Sequence, residues 1–223
     1  MKPRRYNIMK YDTLICDLDG TLTNTIGDLT EAVNVALKKY GFLLRNEDEI
    51  TRFAGNGNRT LIKRSAPENT SEEIREEMYA TFCEYYEAHS MVKTKPYEGI
   101  TDVLNELKRM NVRMAVVTNK NESIAFDVVK HYFGDLFDAV IGQIDGVPLK
   151  PAPDGVFRAI EKLGADKSKC VYLGDSEVDC MTAHNASLPI IGVLWGFRDR
   201  AIHEKYGSEY IIEKPSQIID IIK

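Results

Sequence analysis

The sequence predicts an α/β fold: a parallel sheet covered by helices on both faces, with a helical unit inserted into it. Three observations carry that expectation. Short apolar runs with strand character recur at Thr13–Asp17, Arg113–Thr118, Ala139–Ile141, Cys170–Leu173 and Ile190–Val193. Helical patterns separate most of them, which is the alternation a parallel sheet requires. Between the first two runs lie roughly a hundred residues, far more than a single crossover uses, and that stretch reads as wholly helical.

The first strand runs straight into Asp17-Leu18-Asp19-Gly20-Thr21. Side chains two apart in an extended chain point the same way, so Asp17 and Asp19 would both face the space beyond the strand's carboxyl end. Such a pair suits a division of labour in which one carboxylate attacks and its neighbour exchanges protons. Gly20 permits a tight turn and Thr21 adds a hydroxyl. Solvated acids in a loop are the plain alternative. At average composition, however, Asp-x-Asp-Gly-Thr arises by chance at about one start in 10⁵, and the preceding strand argues further for a site.

The inserted helical unit is drawn from residue 24 to residue 92, leaving 1–23 and 93–223 for the sheet domain. Leu29, Val33, Ala36, Leu37 and Tyr40 form an apolar stripe closed by Gly41. Asn46 and Glu49 have the spacing of a capping box. Ser71 precedes a helix carrying Ile74, Met78, Phe82, Tyr85 and Tyr86, whose spacing signals core packing. Tyr97-Glu98-Gly99-Ile100 returns the chain to the sheet, and Val103, Leu104, Leu107 and Met110 mark the next helix.

Later strands also end on chemistry. Thr118 and Asn119 offer a hydroxyl and a backbone N–H suited to phosphate oxygens. Lys150 stands before Pro151 and Pro153, with Asp154 expected to cap the following helix. A carboxylate that attacks phosphate brings like charges together, at a cost of about 1 kcal/mol at 4 Å in water and about 4 at an effective dielectric of 20. Lys150 is the candidate counter-charge. Gly174-Asp175-Ser176-Glu177-Val178-Asp179 follows another strand, and a helix beginning near Ser176 would set its two aspartates close together. Acids complementing the helix dipole are the alternative reading. Asp175 at a strand end can join Asp17 in holding a hard cation, and magnesium typically takes only one or two carboxylates besides waters and substrate phosphate.

At 223 residues and a net charge of -5, the chain lacks the concentrated positive charge of a nucleic-acid or membrane-surface binder. Lys2, Arg4, Arg5 and Lys10 read as a solvated tail, with a nucleic-acid arm the lesser alternative. No run approaches the roughly 20 apolar residues of a membrane span, and no secretory signal is expected. Cys16, Cys83, Cys170 and Cys180 show no Cys-x-x-Cys spacing, so reduced thiols and a cytoplasmic location are expected. His89, His131, His184 and His203 have no ligand spacing and read as structural.

Taken in order, Asp17-Leu18-Asp19-Gly20-Thr21, Thr118-Asn119, Lys150-Pro151 and Gly174-Asp175-Ser176-x-x-Asp179 resemble the four motifs of the haloacid-dehalogenase superfamily of phosphohydrolases. That resemblance implies a Rossmann-like doubly wound core with a mobile cap, and substrate bound beyond the strands' carboxyl ends. It implies Asp17 as the nucleophile that becomes an aspartyl phosphate, and Asp19 as the group that protonates the leaving alkoxide and later activates water. It also implies Mg²⁺ held by Asp17, the Asp19 carbonyl and Asp175, with Asp179 orienting metal-bound water or Lys150. An acid at Asp19 favours phosphate esters over carbon–halogen bonds.

Phe53-Ala54-Gly55-Asn56-Gly57-Asn58-Arg59-Thr60-Leu61-Ile62 further resembles the cap segment of phosphoglycolate phosphatases. Gly55, Asn56 and Gly57 could then close over a small phosphorylated metabolite, with Arg59 or Lys63 reading a carboxylate. The equal alternative is a plain turn with solvated cations. A phosphosugar mutase or pyrophosphatase fits the same scaffold, and a phospho-aspartate signalling module is the remote alternative. Asn24-Thr25 departs from the Asp-Ser that many relatives carry at the entry to the cap.

Overall fold

The computed structural model describes residues 9–223, so Lys2, Arg4 and Arg5 lie outside the described residues. A six-stranded sheet forms the centre. Its strands are β1 (Thr13–Cys16), β4 (Arg113–Asn121), β5 (Ala139–Gln143), β6 (Cys170–Gly174), β7 (Ile190–Val193) and β8 (Tyr210–Ile212), in the spatial order β5-β4-β1-β6-β7-β8. Every pairing is parallel. Strands therefore add outward on both sides of β1, which is the doubly wound Rossmann-like order, and the crevice of such a sheet opens beside the strand where the order reverses.

The alternation of side chains builds two cores. Leu14, Cys16, Met114, Val116, Val171 and Leu173 pack on one face against α5 (Ile100–Arg109), α6 (Glu122–Phe133) and α10 (Gln217–Ile222). Ile15, Ala115, Val117 and Tyr172 point to the other, against α7 (Asp154–Leu163) and α8 (Glu177–Asn185). Strands buried on both faces read as continuous apolar runs, which is why five of them were legible.

The inserted unit has a third core of its own, centred on Leu29, Val33, Leu37, Ile50, Leu61, Met78 and Phe82. It consists of α1 (Ile26–Lys39), α2 (Glu47–Phe53), α3 (Asn58–Ser65) and α4 (Glu72–His89). Asn46 and Glu49 complete the expected capping box, and Ser71 caps α4 through the amide of Ile74. A ribbon of β2 (Thr23–Asn24) and β3 (Lys95–Pro96), paired antiparallel, joins this cap to the sheet domain. Buried Asp28 accepts from the amides of Lys93 (2.8 Å) and Thr94 (2.9 Å), fastening the returning chain to the first helix of the cap.

Two details differ from expectation. Asp154 is the first residue of α7 rather than its cap; Pro153 holds the cap position and supplies no side-chain bond. The edge strand β8 was not anticipated, because its three residues lie between Glu209 and Glu213 and only Ile212 is fully buried.

Candidate active site

All four motif segments reach the carboxyl ends of their strands around one point. Asp17 follows β1 directly and is buried. Lys150, from the loop before α7, donates to Asp17 Oδ1 and to Asp179 Oδ1, both at 2.7 Å, and to the Tyr172 hydroxyl at 3.1 Å. Burial works against the lysine's charge, but the two carboxylates outweigh it and hold the ammonium above its ordinary pKa. The lysine therefore stands as a positive charge beside Asp17. Its loop is held by Asn119, whose Oδ1 accepts from the Lys150 amide (2.8 Å) and whose Nδ2 donates to the Lys150 carbonyl (3.1 Å).

Asp175 accepts from Thr21 Oγ1 at 3.0 Å and from the Phe197 amide at 2.7 Å. Burial first, and then the nearby Asp179, push its carboxyl up to about 7. Asp17 is raised in the same direction, again by burial first and Asp179 next. Oxygens of Asp17, Asp175 and Asp179 lie within 4.8 Å of one another. Three buried carboxylates facing one ammonium leave a local excess of negative charge, and an all-oxygen donor set suits a hard divalent cation. The backbone keeps this space clear: Gly20, at φ +91°, and Gly196 both press against Asp175, and a Cβ on either would collide with that side chain.

Asp179 contributes differently from the other two. Its Oδ2 accepts from the Ser176 amide (3.1 Å) and hydroxyl (2.6 Å), closing a capping box at the start of α8. With Oδ1 on Lys150, both oxygens are already engaged. Asp19 also stands apart, since its side chain belongs to Lys120 rather than to the carboxylate cluster.

Lys120 was not singled out in the sequence. It ends the Val-Val-Thr-Asn-Lys run as a buried side chain, donating to both Asp19 oxygens (2.7 and 3.0 Å) and to Tyr86 of the cap (2.7 Å). The run 117–120 resembles that of phosphoglycolate phosphatases, but the partners of Lys120 are far away in sequence, so the run alone gives it no role. Arg198, equally unmarked, donates from the sheet domain to the Thr51 carbonyl (2.8 Å) and the Ala54 carbonyl (2.9 Å) of the cap, and to Glu177 (2.8 Å). Lys120 and Arg198 thus both fasten cap to core.

Between them lies a cavity of about 40 Å³ lined by Asp17, Asp19, Gly55, Gly57, Thr118, Asn119, Lys120 and Lys150 among others. At about 10–15 Å³ per water, it has room for only a few water molecules. Gly55 and Gly57, at φ +107° and +83°, bring the cap loop over it. Asn56 does not line it and accepts instead from Arg64 (2.9 Å). Arg59 is turned outward, paired with Glu76 and lying over the Tyr79 ring, and Lys63 is exposed, so neither expected cap cation reaches the site. A larger cleft of about 940 Å³ opens between α4 and α6, but its walls carry Glu87, Glu122 and Asp127 and none of the motif residues.

The haloacid dehalogenase-like hydrolase family model matches residues 14–193. The chain belongs to that family, on its phosphatase branch. It is 32% identical over 189 residues to a phosphoglycolate phosphatase of Agrobacterium fabrum, covering 83% of this chain and 81% of that one. It is 28% identical over 215 residues to the enzyme of the same name from Aquifex aeolicus, covering 94% and 95%. A crystal structure of a candidate phosphoglycolate phosphatase from Lactobacillus delbrueckii subsp. bulgaricus superposes with a TM-score of 0.90 at 32% identity, covering 96% of this chain and 99% of that one.

Proposed function

We propose that the chain is a magnesium-dependent phosphatase for a small phosphomonoester, with 2-phosphoglycolate the first candidate, acting through an aspartyl phosphate on Asp17. The observation that carries this reading is the Asp17 carboxylate, held by Lys150 at 2.7 Å beneath a small cavity. The names of the relatives support the substrate. The unit from residue 24 to 92 acts as the cap, hinged on the β2–β3 ribbon, and opens to admit the ester.

In this reading Asp17 and Asp175 hold the cation, aided by the Asp19 carbonyl. When bound, magnesium screens the negative charge that gathers between nucleophile and phosphate. Lys150 neutralises Asp17 and orients it, while Asp179 positions Lys150 through Oδ1 and stays fixed through its bonds to Ser176. The Thr118 hydroxyl and the Asn119 amide take the non-transferring oxygens. Asp19 gives a proton to the leaving alkoxide and then accepts one from the water that releases phosphate. Cap closure excludes other water from the reaction. The four free cysteines favour a reducing compartment and hence the cytoplasm.

A panel of 2-phosphoglycolate, sugar phosphates, nucleotides and pyrophosphate, assayed with magnesium, tests the proposal. Phosphate release should be fastest from 2-phosphoglycolate, and Asp17→Asn should lower kcat by at least about 10³-fold, the scale seen when a nucleophile is removed. Unimpaired turnover by Asp17→Asn would overturn the mechanism. An isomerised sugar that retains its phosphate would instead mark a mutase.

A further inference from the structure

We propose that Lys120 binds a carboxylate on the leaving group of the substrate, and so restricts the site to phosphorylated small acids. This inference rests on the phosphatase reading above and names the residue that selects its substrate. Among the described residues lining the catalytic cavity, only Lys120 and Lys150 carry positive charge. Lys150 is committed to the nucleophile by its bonds to Asp17 and Asp179. Arg59 pairs with exposed Glu76, Arg64 with Asn56 and the Phe53 carbonyl, and Arg198 with Glu177 and cap carbonyls. Lys120 is the other ammonium of the cavity wall, and its anionic partner is Asp19 rather than the nucleophile.

Its position suits a carboxylate on the leaving group. Asp19 is the carboxylate that protonates the ester oxygen as it leaves, and the Lys120 ammonium lies 2.7 and 3.0 Å from the two Asp19 oxygens. In a phosphorylated 2-hydroxy acid the carboxylate carbon is two bonds from that ester oxygen. It therefore arrives beside the ammonium when the ester oxygen is beside Asp19. An ammonium has three donors, and the resting structure spends them on Asp19 and Tyr86. A substrate carboxylate replaces one Asp19 oxygen as acceptor, while Tyr86 keeps the ammonium aimed inward. Gly57 and Asn58, at the start of α3 where no side chain caps the helix, line the same cavity and add favourable backbone dipoles.

Because Asp19 already satisfies Lys120 at rest, the ammonium is not left bare by a neutral substrate. Discrimination is accordingly set by one charge-assisted hydrogen bond, about 10- to 100-fold. The test compares kcat/KM for 2-phosphoglycolate and for 2-hydroxyethyl phosphate, which has a similar leaving group without the acid. p-Nitrophenyl phosphate serves as the reference ester for phosphatase activity. The wild type should prefer 2-phosphoglycolate about 10- to 100-fold, and Lys120→Met should reduce that preference to about threefold or less, mainly through KM. Lys120→Arg should keep part of it. Equal losses on both substrates in Lys120→Met would overturn the proposal, leaving Lys120 to act only through Asp19.

Glycolate and ethylene glycol, as inhibitors of p-nitrophenyl phosphate turnover by the wild type, give a test that needs no variant. Glycolate should inhibit at least about tenfold more strongly, and equal inhibition would again overturn the assignment. A wild type that hydrolyses p-nitrophenyl phosphate without preferring the acid refutes the role of Lys120 and leaves the phosphatase standing. No turnover of any phosphomonoester refutes both.

Discussion

Replacing Asp175 by asparagine should stabilise the metal-free protein while abolishing turnover. The carboxyl is buried and held at about 7 against an ordinary value of 3.8, a difference of about three units at 1.36 kcal/mol each. Keeping it ionised in the fold thus costs about 4 kcal/mol. Asparagine removes that cost and still accepts one of the two bonds from Thr21 and Phe197. Its amide group mispairs with the other donor, at about 1–3 kcal/mol. A net gain of about 1–3 kcal/mol remains, which is about 2–12 °C in Tm for a chain of this size.

The pH dependence has a definite sign. Between about pH 4 and pH 7 the folded carboxyl keeps a proton that the unfolded chain has released, so wild-type stability falls as pH rises across that window. Asp17, raised in the same direction, adds to the slope. Asparagine has no such slope, and its advantage should be small near pH 4 and complete above pH 7. Thermal unfolding in EDTA at pH 4.5 and pH 8 measures the difference. Magnesium at a hundred times its Kd should restore about 2.7 kcal/mol to the wild type and much less to the variant. A variant less stable than wild type at pH 8 in EDTA, or an advantage independent of pH, would refute the reasoning.

Arg198→Ala removes the bonds to Thr51 and Ala54 and should loosen cap closure by about 1–3 kcal/mol; KM should rise by about 5- to 100-fold with a smaller change in kcat, and proteolysis in the cap loop should quicken. Ser176→Ala deletes the hydroxyl that caps α8 by accepting from the Asp179 amide and that donates to Asp179 Oδ2. Urea titration should find it about 1–3 kcal/mol less stable, with kcat lowered because Lys150 loses its fixed partner.

The features legible in the sequence are those in which cause and effect are neighbours along the chain. Five strands declared themselves through apolar runs, Asn46 with Glu49 and Ser71 through capping chemistry, and Asp17 through its place after a strand. Asp175 and Lys150 were legible as types at strand ends, and the fold supplies the distances between them. The roles of Lys120 and Arg198 were not legible, because each is defined by partners from another element: Asp19 and Tyr86 for one, Thr51 and Ala54 for the other. Arg59 shows the same limit. Its position after a glycine-rich cap loop left a substrate contact and a solvated cation equally open, and α3 turns it toward Glu76 on α4. The β2–β3 ribbon is two residues per strand, too short for periodicity to register.

The place of β1 in the sheet also sets the order in which the protein can be made. Thr13 pairs with Arg113 on one side and with Cys170 on the other, so β1, which precedes both in the chain, must wait for both neighbours. The cap, whose contacts are local, is free to form first. Until Cys170–Gly174 has emerged, the apolar Leu14-Ile15-Cys16 segment has an unpaired edge, and Asp17 has no Asp175 beside it. A chain that stops short of Cys170 therefore leaves one edge of β1 bare and its carboxylate cluster incomplete.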